Sequence, residues 1–184
     1  MASLGSEDDQ ARFRTVVLPH LGDAYALARW LARNDSDAED IVQEACLRAF
    51  RGIAGFGDVN ARAWVLSIVR NTAFSWLKKH RDPRLVAVEN IELVEAVGPE
   101  QDGGPFAGPS SPEASLIERA DAARLEAAIG ALPEEFRETL VLRDVQGLDY
   151  REIAAVTGVP VGTVMSRLAR ARRRLIDTIG MSEP

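Results

Sequence analysis

Residues 148–175 read LDYREIAAVTGVPVGTVMSRLARARRRL, and they carry the clearest local signals of structure in the chain. Asp149 followed three positions later by Glu152 is the pattern of a capping box at a helix start, and Gly158 is a typical helix stop. A second and longer helical pattern begins near Gly162. The stretch therefore predicts a short helix, a tight turn and a long helix, the spacing of a helix-turn-helix motif.

The long helix has two chemically different faces. Apolar residues recur at intervals of four, three and four, at Val164, Leu168, Ala171 and Leu175, which predicts a packing face. Between residues 163 and 176 there are five arginines and no acid. A basic helix of this kind fits the major groove of DNA, where arginine can donate two hydrogen bonds to guanine. An ordinary arginine-rich surface helix is the alternative. The residues predicted to face DNA are Thr163, Ser166, Arg167, Arg170 and Arg174.

Composition favours an all-α chain with its excess acid in the middle. The 184 residues are 46% hydrophobic and only 6% aromatic, and Ala, Leu, Arg and Glu recur in long stretches, which favours helices over β-sandwiches. The net charge of −6 would argue against nucleic-acid binding if it were spread evenly. However, residues 81–113 hold seven acidic and two basic side chains, while the segments on either side are nearly balanced.

This distribution predicts two small helical domains, residues 1–81 and 114–184, joined by a flexible acidic linker at residues 82–113. Residues 98–112 are rich in glycine and proline, which prevents a stable helix or strand. Breaks near residues 34–37 and 52–60 divide the first domain into successive amphipathic helices. Taken without any family, the acidity of the linker is accounted for by solubility, because runs of charge are usually solvated.

Three segments of the second domain carry a family resemblance. Residues 132–137 (LPEEFR), 148–154 (LDYREIA) and 162–172 (GTVMSRLARAR) together resemble the C-terminal domain of extracytoplasmic-function sigma factors. The resemblance implies that the long helix reads the minus-thirty-five promoter element. Arg170 is the first candidate for a direct base contact and Ser166 the second, with Thr163 and Arg167 on phosphates.

A helix of the first domain supports the same family. Residues 37–50 (DAEDIVQEACLRAF) are similar to the helix with which sigma factors bind a coiled coil on the largest subunit of RNA polymerase. Ile41, Ala45 and Leu47 are expected to face inward. Taken without the family, this is a plain amphipathic helix with a solvated face. The resemblance implies that core polymerase is contacted by Asp40, Gln43, Glu44 and Arg48.

Residues 56–81 resemble the family segment that opens promoters at the minus-ten element. Opening needs apolar surfaces to replace base stacking, polar groups to read an extruded base, and cations along the backbone. At helical spacing an aromatic residue is more often core than a stacking platform, so we expect Trp64 to be buried. The implied base pocket consists of Phe56, Asp58, Asn60 and Asn71, and the implied phosphate contacts are Arg62, Arg70, Lys78 and Lys79.

Several other classes of function find little support. With Cys46 as the single cysteine and His20 and His80 as the only histidines, we expect no metal, no other cofactor and no catalytic activity. Cys46 has the pattern of a small buried hydrophobe more than that of a redox switch. No apolar stretch approaches the ~20 residues of a membrane span, and the start lacks the basic region of a secretory signal, which predicts a cytoplasmic protein without membrane insertion.

The main hypothesis is therefore a sigma factor that binds core RNA polymerase, directs it to promoter DNA and helps open the duplex, under the control of an anti-sigma factor. The acidic tether is then implied to follow the RNA path of the polymerase. An autonomous helix-turn-helix regulator is the alternative, and it should bind duplex DNA without polymerase, usually as a symmetric dimer. A sigma-like adaptor that binds no DNA is a third hypothesis, against which the basic helix argues.

Overall fold

The computed structural model describes residues 7–57, 60–80 and 112–180, with side chains from residue 121 onward in the last range. Every regular element in these ranges is helical, which confirms the predicted all-α fold. Short 3-10 turns at Leu18–His20 and Ile53–Gly55, and a π-helical turn at Val141–Val145, supplement the longer helices. These are α1 (Glu7–Val16), α2 (Leu21–Ala32), α3 (Asp35–Gly52), α4 (Ala61–His80), α5 (Pro112–Gly130), α6 (Glu134–Leu140), α7 (Tyr150–Thr157) and α8 (Val161–Gly180).

Helices α2, α3 and α4 pack against one another around a buried core. The chain leaves α2 at Arg33, which adopts a left-handed conformation with φ of 66°. Asn34 then caps α3, because its side-chain oxygen accepts a hydrogen bond from the backbone N–H of Asp37 at 2.7 Å. The break predicted at residues 34–37 thus lies at Arg33 and Asn34, since α3 is already helical from Asp35.

The predicted helix-turn-helix is present as α7 and α8. The Asp149 carboxylate accepts hydrogen bonds from the backbone N–H of Arg151 at 2.7 Å and of Glu152 at 2.8 Å, and Glu152 accepts one from the backbone N–H of Asp149 at 2.8 Å. This reciprocal capping box fixes where α7 begins. Gly158 ends α7 with φ of 72°, a conformation that favours glycine. The apolar face of α8 is buried as predicted, at Val164, Leu168 and Ala171.

The two halves of the chain pack directly on each other. Helix α4 lies against α7, and α2 lies against α6 and the π-helical turn. One continuous cluster of buried side chains includes Leu66 and Val69 of α4 together with Ile153 and Val156 of α7. Helix α5 begins at Pro112, so the last two residues of the predicted linker are helical; residues 82–111 lie outside the described part. This packing brings the surface of α4 next to the helix-turn-helix.

Within the described ranges, no helix combines the length and the apolar character needed to cross a membrane. In the same ranges, no group of three or more His, Cys, Asp or Glu side chains is arranged to hold a metal ion.

Candidate nucleic-acid interface

The outer face of α3 presents the four side chains predicted to bind polymerase. Asp40, Gln43 and Arg48 are exposed, and Glu44 is half-exposed. Arg48 donates a hydrogen bond to the Glu44 carboxylate at 2.9 Å, an i to i+4 ion pair along the helix surface. The four residues therefore form one polar surface, which we call the α3 surface.

Leu47 was expected to face inward with Ile41 and Ala45, and that expectation was wrong. Ile41 and Ala45 are buried, but the Leu47 residue is 53% exposed. The reason is helical geometry: successive residues turn by about 100°, so a position two residues after Ala45 points to the opposite side. Leu47 instead gives the α3 surface an apolar patch beside Arg48.

The predicted base pocket is divided between core and surface. The Phe56 ring is buried and packs against Trp64 at a centroid distance of 4.8 Å. Trp64 itself packs against the core, as expected. Asn60 caps α4 by accepting a hydrogen bond from the backbone N–H of Ala63 at 3.0 Å. Asp58 lies outside the described residues.

Arg62, a predicted phosphate contact, is held by groups from both halves of the chain. Its Nε donates to the Asp23 carboxylate at 2.6 Å, and its Nη2 donates to the backbone carbonyl of Gln146 at 2.8 Å. The hydrogen bond to Asp23 is the main cause of a raised pKa for Arg62. The side-chain amide of Gln146 in turn donates to the backbone carbonyl of Asp23 at 2.8 Å.

Arg70, another predicted phosphate contact, forms an ion pair with Glu138 of α6. The Glu138 side chain is 1% exposed and that of Arg70 is 21% exposed. The guanidinium also lies over the Phe74 ring, 4.7 Å from its centroid, and donates to the Asn71 side-chain oxygen at 3.2 Å. Burial raises the pKa of Glu138 above its usual value, while the hydrogen bond and charge of Arg70 oppose that rise.

The remaining predicted minus-ten residues are accessible. Asn71, Lys78 and Lys79 are all exposed on α4, and the two lysines lie in its last turn. One side of α4 is thus covered by the second half of the chain, whereas Asn71 and the C-terminal lysines stay open to solvent.

Helix α8 presents its polar face as predicted. Ser166, Arg170 and Arg174 are exposed, and Thr163 is half-buried. Arg167 is the exception, because its side chain is only 19% exposed and its guanidinium pairs with the Glu135 carboxylate at 2.8 Å. Ser166, Arg170 and Arg174 are therefore accessible to solvent, although the Arg174 guanidinium lies over the Phe136 ring, 5.2 Å from its centroid.

A cleft of about 480 Å³ separates α4 from α6 and α8. Its walls are formed by side chains of both halves, including three carboxylates of α6. Arg70 enters from α4 and Arg167 from α8, so the two predicted DNA-binding cations meet acids of the same short helix. The charged residues lining the cleft are Arg70, Glu134, Glu135, Glu138 and Arg167.

Both halves match known protein families. Residues 16–82 match the family described as sigma-70 region 2, and residues 122–175 match the one described as sigma-70 region 4. The ECF RNA polymerase sigma-E factor of Escherichia coli is 33% identical over 175 residues, which cover 93% of this chain and 88% of that protein. This chain belongs to the extracytoplasmic-function sigma factors. The family resemblance read from the sequence is thereby confirmed.

Other relatives of this sigma factor support the same family assignment. The ECF sigma factor SigE of Mycolicibacterium smegmatis is 35% identical over 163 residues, or 88% of this chain, which spans 59% of that protein's length. Among solved structures, the sigma factor RpoE of Bartonella quintana, in complex with the anti-sigma factor NepR, has a TM-score of 0.69 at 26% identity, with 93% of this chain and 98% of that one covered. CnrH, in complex with the cytosolic domain of CnrY, has a TM-score of 0.64 at 26% identity, covering 95% and 91%.

Sequence reasoning missed the residues that join the two halves of the sigma factor. Glu138 and Gln146 are buried polar residues of the second half that contact the predicted DNA-binding arginines. Glu152 was predicted as a capping residue only, but it also accepts a hydrogen bond from the Asn60 side chain at 2.5 Å. No local pattern marks these partners, because the hydrogen bonds join residues 68 to 92 positions apart.

Cys46 sits in an apolar environment. It is half-buried, and its neighbours include Val17, Leu21 and Val42. Burial raises the pKa of its thiol, which lowers the fraction of reactive thiolate at neutral pH. The environment favours a packing role over a redox role.

Proposed function

We propose that this sigma factor binds core RNA polymerase through the α3 surface, contacts the minus-ten element through α4 and the loop before it, and reads the minus-thirty-five element through α8. It acts in the cytoplasm with the polymerase and has no catalytic activity of its own. The observation that carries the proposal is the pair of separate polar surfaces, on α3 and α8, each built on a buried apolar face.

The α8 surface supports sequence reading. Arg170 is exposed and lies on the side opposite Leu168 and Ala171, which anchor the helix in the core. An arginine held on a rigid helix can donate two hydrogen bonds to a guanine edge, and such a contact contributes about 1–3 kcal/mol of discrimination. Ser166 lies one turn earlier and is also exposed. This supports Arg170 as the first base contact and Ser166 as the second.

The exposed part of α4 supports promoter opening. Asn71 offers a side-chain amide that can pair with the edge of a flipped base, and the nearby lysines can follow the phosphate backbone. Phe56 is buried against Trp64, so in this role its ring supports the loop instead of stacking on a base.

Regulation by an anti-sigma factor is part of the proposal. Two solved structures similar to this chain are complexes with a protein partner. RpoE of Bartonella quintana is bound to the anti-sigma factor NepR, and CnrH is bound to the cytosolic domain of CnrY. Both cover more than nine-tenths of this chain at TM-scores above 0.6. We infer that an anti-sigma factor binds this chain too.

The polymerase contact is tested with two matched substitutions, Asp40→Asn and Asp121→Asn. Both residues are exposed aspartates, but Asp40 lies on the α3 surface and Asp121 on α5. Titration of core RNA polymerase into each fluorescently labelled variant should show weaker binding for Asp40→Asn and unchanged binding for Asp121→Asn. Equal affinities for both variants and the wild type would remove Asp40 from the polymerase contact.

A further inference from the structure

The π-helical turn before the helix-turn-helix carries a carboxylate that reaches across to α8. Asp144 lies in this turn, and Arg172 lies on α8, 28 positions later. The Asp144 carboxylate accepts two hydrogen bonds from the Arg172 guanidinium, from Nε at 3.2 Å and from Nη2 at 2.7 Å. The two nitrogens contact different carboxylate oxygens, which is the two-point geometry that arginine forms with carboxylates. A single contact can pivot, whereas two contacts fix the direction of the guanidinium plane.

The same turn also holds the beginning of α7. Arg143, the neighbour of Asp144, donates from Nη1 to the Leu148 carbonyl at 2.7 Å, and its guanidinium lies 5.1 Å from the centroid of the Tyr150 ring. Tyr150 is the first residue of α7. Adjacent residues of one turn therefore fasten both helices of the helix-turn-helix. Single π-helical turns frequently occur at functional sites.

Arg172 lies on a different side of α8 from the proposed base reader. Arg172 follows Arg170 by two positions, so at about 100° per residue the two side chains point in nearly opposite directions. Arg172 is next to Ala171, the last buried residue of α8. Apolar packing is non-directional, and Ala171 contributes only a methyl group to it. An ion pair at the edge of the packing face can therefore restrain the rotation of α8 about its own axis.

Base reading depends on this rotation more than phosphate binding does. Side-chain tips lie about 5–6 Å from the axis of an α-helix, so a rotation of about 20° moves a tip by roughly 2 Å. A hydrogen bond spans only about 2.7–3.2 Å between its heavy atoms. Such a rotation would break at least one of the two hydrogen bonds from Arg170 to a guanine edge. Attraction to the phosphate backbone comes mainly from charge and would persist.

We propose that Asp144 is a positioning residue for the minus-thirty-five element, because its ion pair with Arg172 sets the rotation of α8 at which Arg170 meets its base. This role rests on the proposed function, since it assumes that α8 reads that element. Asp144 contacts no base in this role. Its removal lowers the preference of the sigma factor for the correct sequence and leaves the attraction of the exposed cations for phosphates in place.

The test compares two matched substitutions, Asp144→Asn and Asp121→Asn. Both remove one negative charge from an exposed ion pair of the second half, and the partner of Asp121 is Arg124 at 3.9 Å. Holoenzyme assembled from core RNA polymerase and each full chain is titrated into two fluorescein-labelled DNAs. One is a promoter selected by the wild-type holoenzyme, and the other is the same DNA with its minus-thirty-five element replaced. The ratio of the two affinities measures discrimination at that element.

The ratio should fall about two- to fivefold for Asp144→Asn, the range expected for an exposed ion pair with two-point geometry. It should not change for Asp121→Asn. A wild-type ratio for Asp144→Asn would overturn the proposal. Tighter binding of both DNAs with a steeper salt dependence would also overturn it, since the released Arg172 would then be a phosphate contact. Circular dichroism checks that each variant is folded.

A substitution of the partner covers the case in which Asp144→Asn fails to fold. Arg172→Lys keeps the positive charge, and with it any attraction to phosphates, but lysine cannot form the two-point contact. It should also lower the ratio. The double variant should lose no more discrimination than Asp144→Asn alone, because the pair is already broken. Losses that add in the double variant would reject the coupling between the two residues.

Failure of the positioning role and failure of the proposed function give different results. If the wild-type holoenzyme prefers the intact promoter and both single variants prefer it equally, the positioning role is rejected and the proposed function stands. If the wild-type holoenzyme binds the two DNAs equally, reading of the minus-thirty-five element by α8 is rejected, and the role of Asp144 is rejected with it.

Discussion

Truncating Leu168 should destabilise the helix-turn-helix much more than truncating Met165, three positions earlier on the same helix. Leu168 is 2% exposed and Met165 is 50% exposed. Leu168→Ala removes three buried carbons and leaves a cavity between α8 and the core, which should cost about 3 kcal/mol of unfolding free energy. For a chain of this length, that corresponds to a melting temperature lower by roughly 6–12 °C. Met165→Ala should change the unfolding free energy by about 0.5 kcal/mol or less.

The assay is thermal and urea unfolding of the two variants and the wild type at neutral pH, with circular dichroism as the signal that monitors unfolding. Both substitutions end in alanine, so the gain in helix propensity is similar and does not explain a difference. Equal losses of stability would refute the assignment of Leu168 to the packing face and of Met165 to the solvent-exposed side. A larger loss for Met165→Ala would reverse the orientation of α8.

Three further predictions concern the promoter contacts and the buried acid. Arg170→Ala should lower transcription from a cognate promoter while leaving affinity for core polymerase intact, and an equal loss of core binding would remove its base-reading role. Asn71→Ala should reduce permanganate reactivity of the melted strand more than closed-complex formation measured by footprinting; unchanged reactivity would count against the base pocket. Because burial raises the pKa of Glu138, the folded chain binds its proton more readily than the unfolded chain does. That contribution to stability is fully present below the ordinary glutamate pKa and is lost as the pH rises through the raised pKa of Glu138. The unfolding free energy of Glu138→Gln relative to wild type should therefore increase between about pH 4 and pH 7. Urea unfolding at both pH values would show no such change if Glu138 had an ordinary pKa.

Features encoded by neighbouring residues could be predicted from the sequence. The capping box of Asp149 and Glu152 depends on residues three apart, and the structure contains both of its hydrogen bonds. The buried face of α8 follows from its apolar spacing and is confirmed at Leu168. The same rule of helical spacing places Leu47 outside the core, because Leu47 lies two positions after the buried Ala45.

Features that depend on how the halves pack could not be predicted. The Arg70–Glu138 pair joins residues 68 positions apart, and a glutamate in an amphipathic helix is normally exposed. Phe56 is an aromatic residue of the kind that can stack on a base, yet its tertiary contact with Trp64 buries it. Local pattern identifies which residues can contact DNA, while tertiary packing decides which of them are accessible in the free chain.

Whether this sigma factor reads promoters only together with polymerase can be measured by DNA selection. Purified core RNA polymerase is mixed with the full chain, and promoter fragments are selected from a genomic library by the complex and, separately, by the free protein. We expect tight core binding and enrichment of paired minus-thirty-five and minus-ten elements by the complex alone. Selective duplex binding by the free protein, together with no affinity for core polymerase, would contradict it and identify an autonomous helix-turn-helix regulator instead.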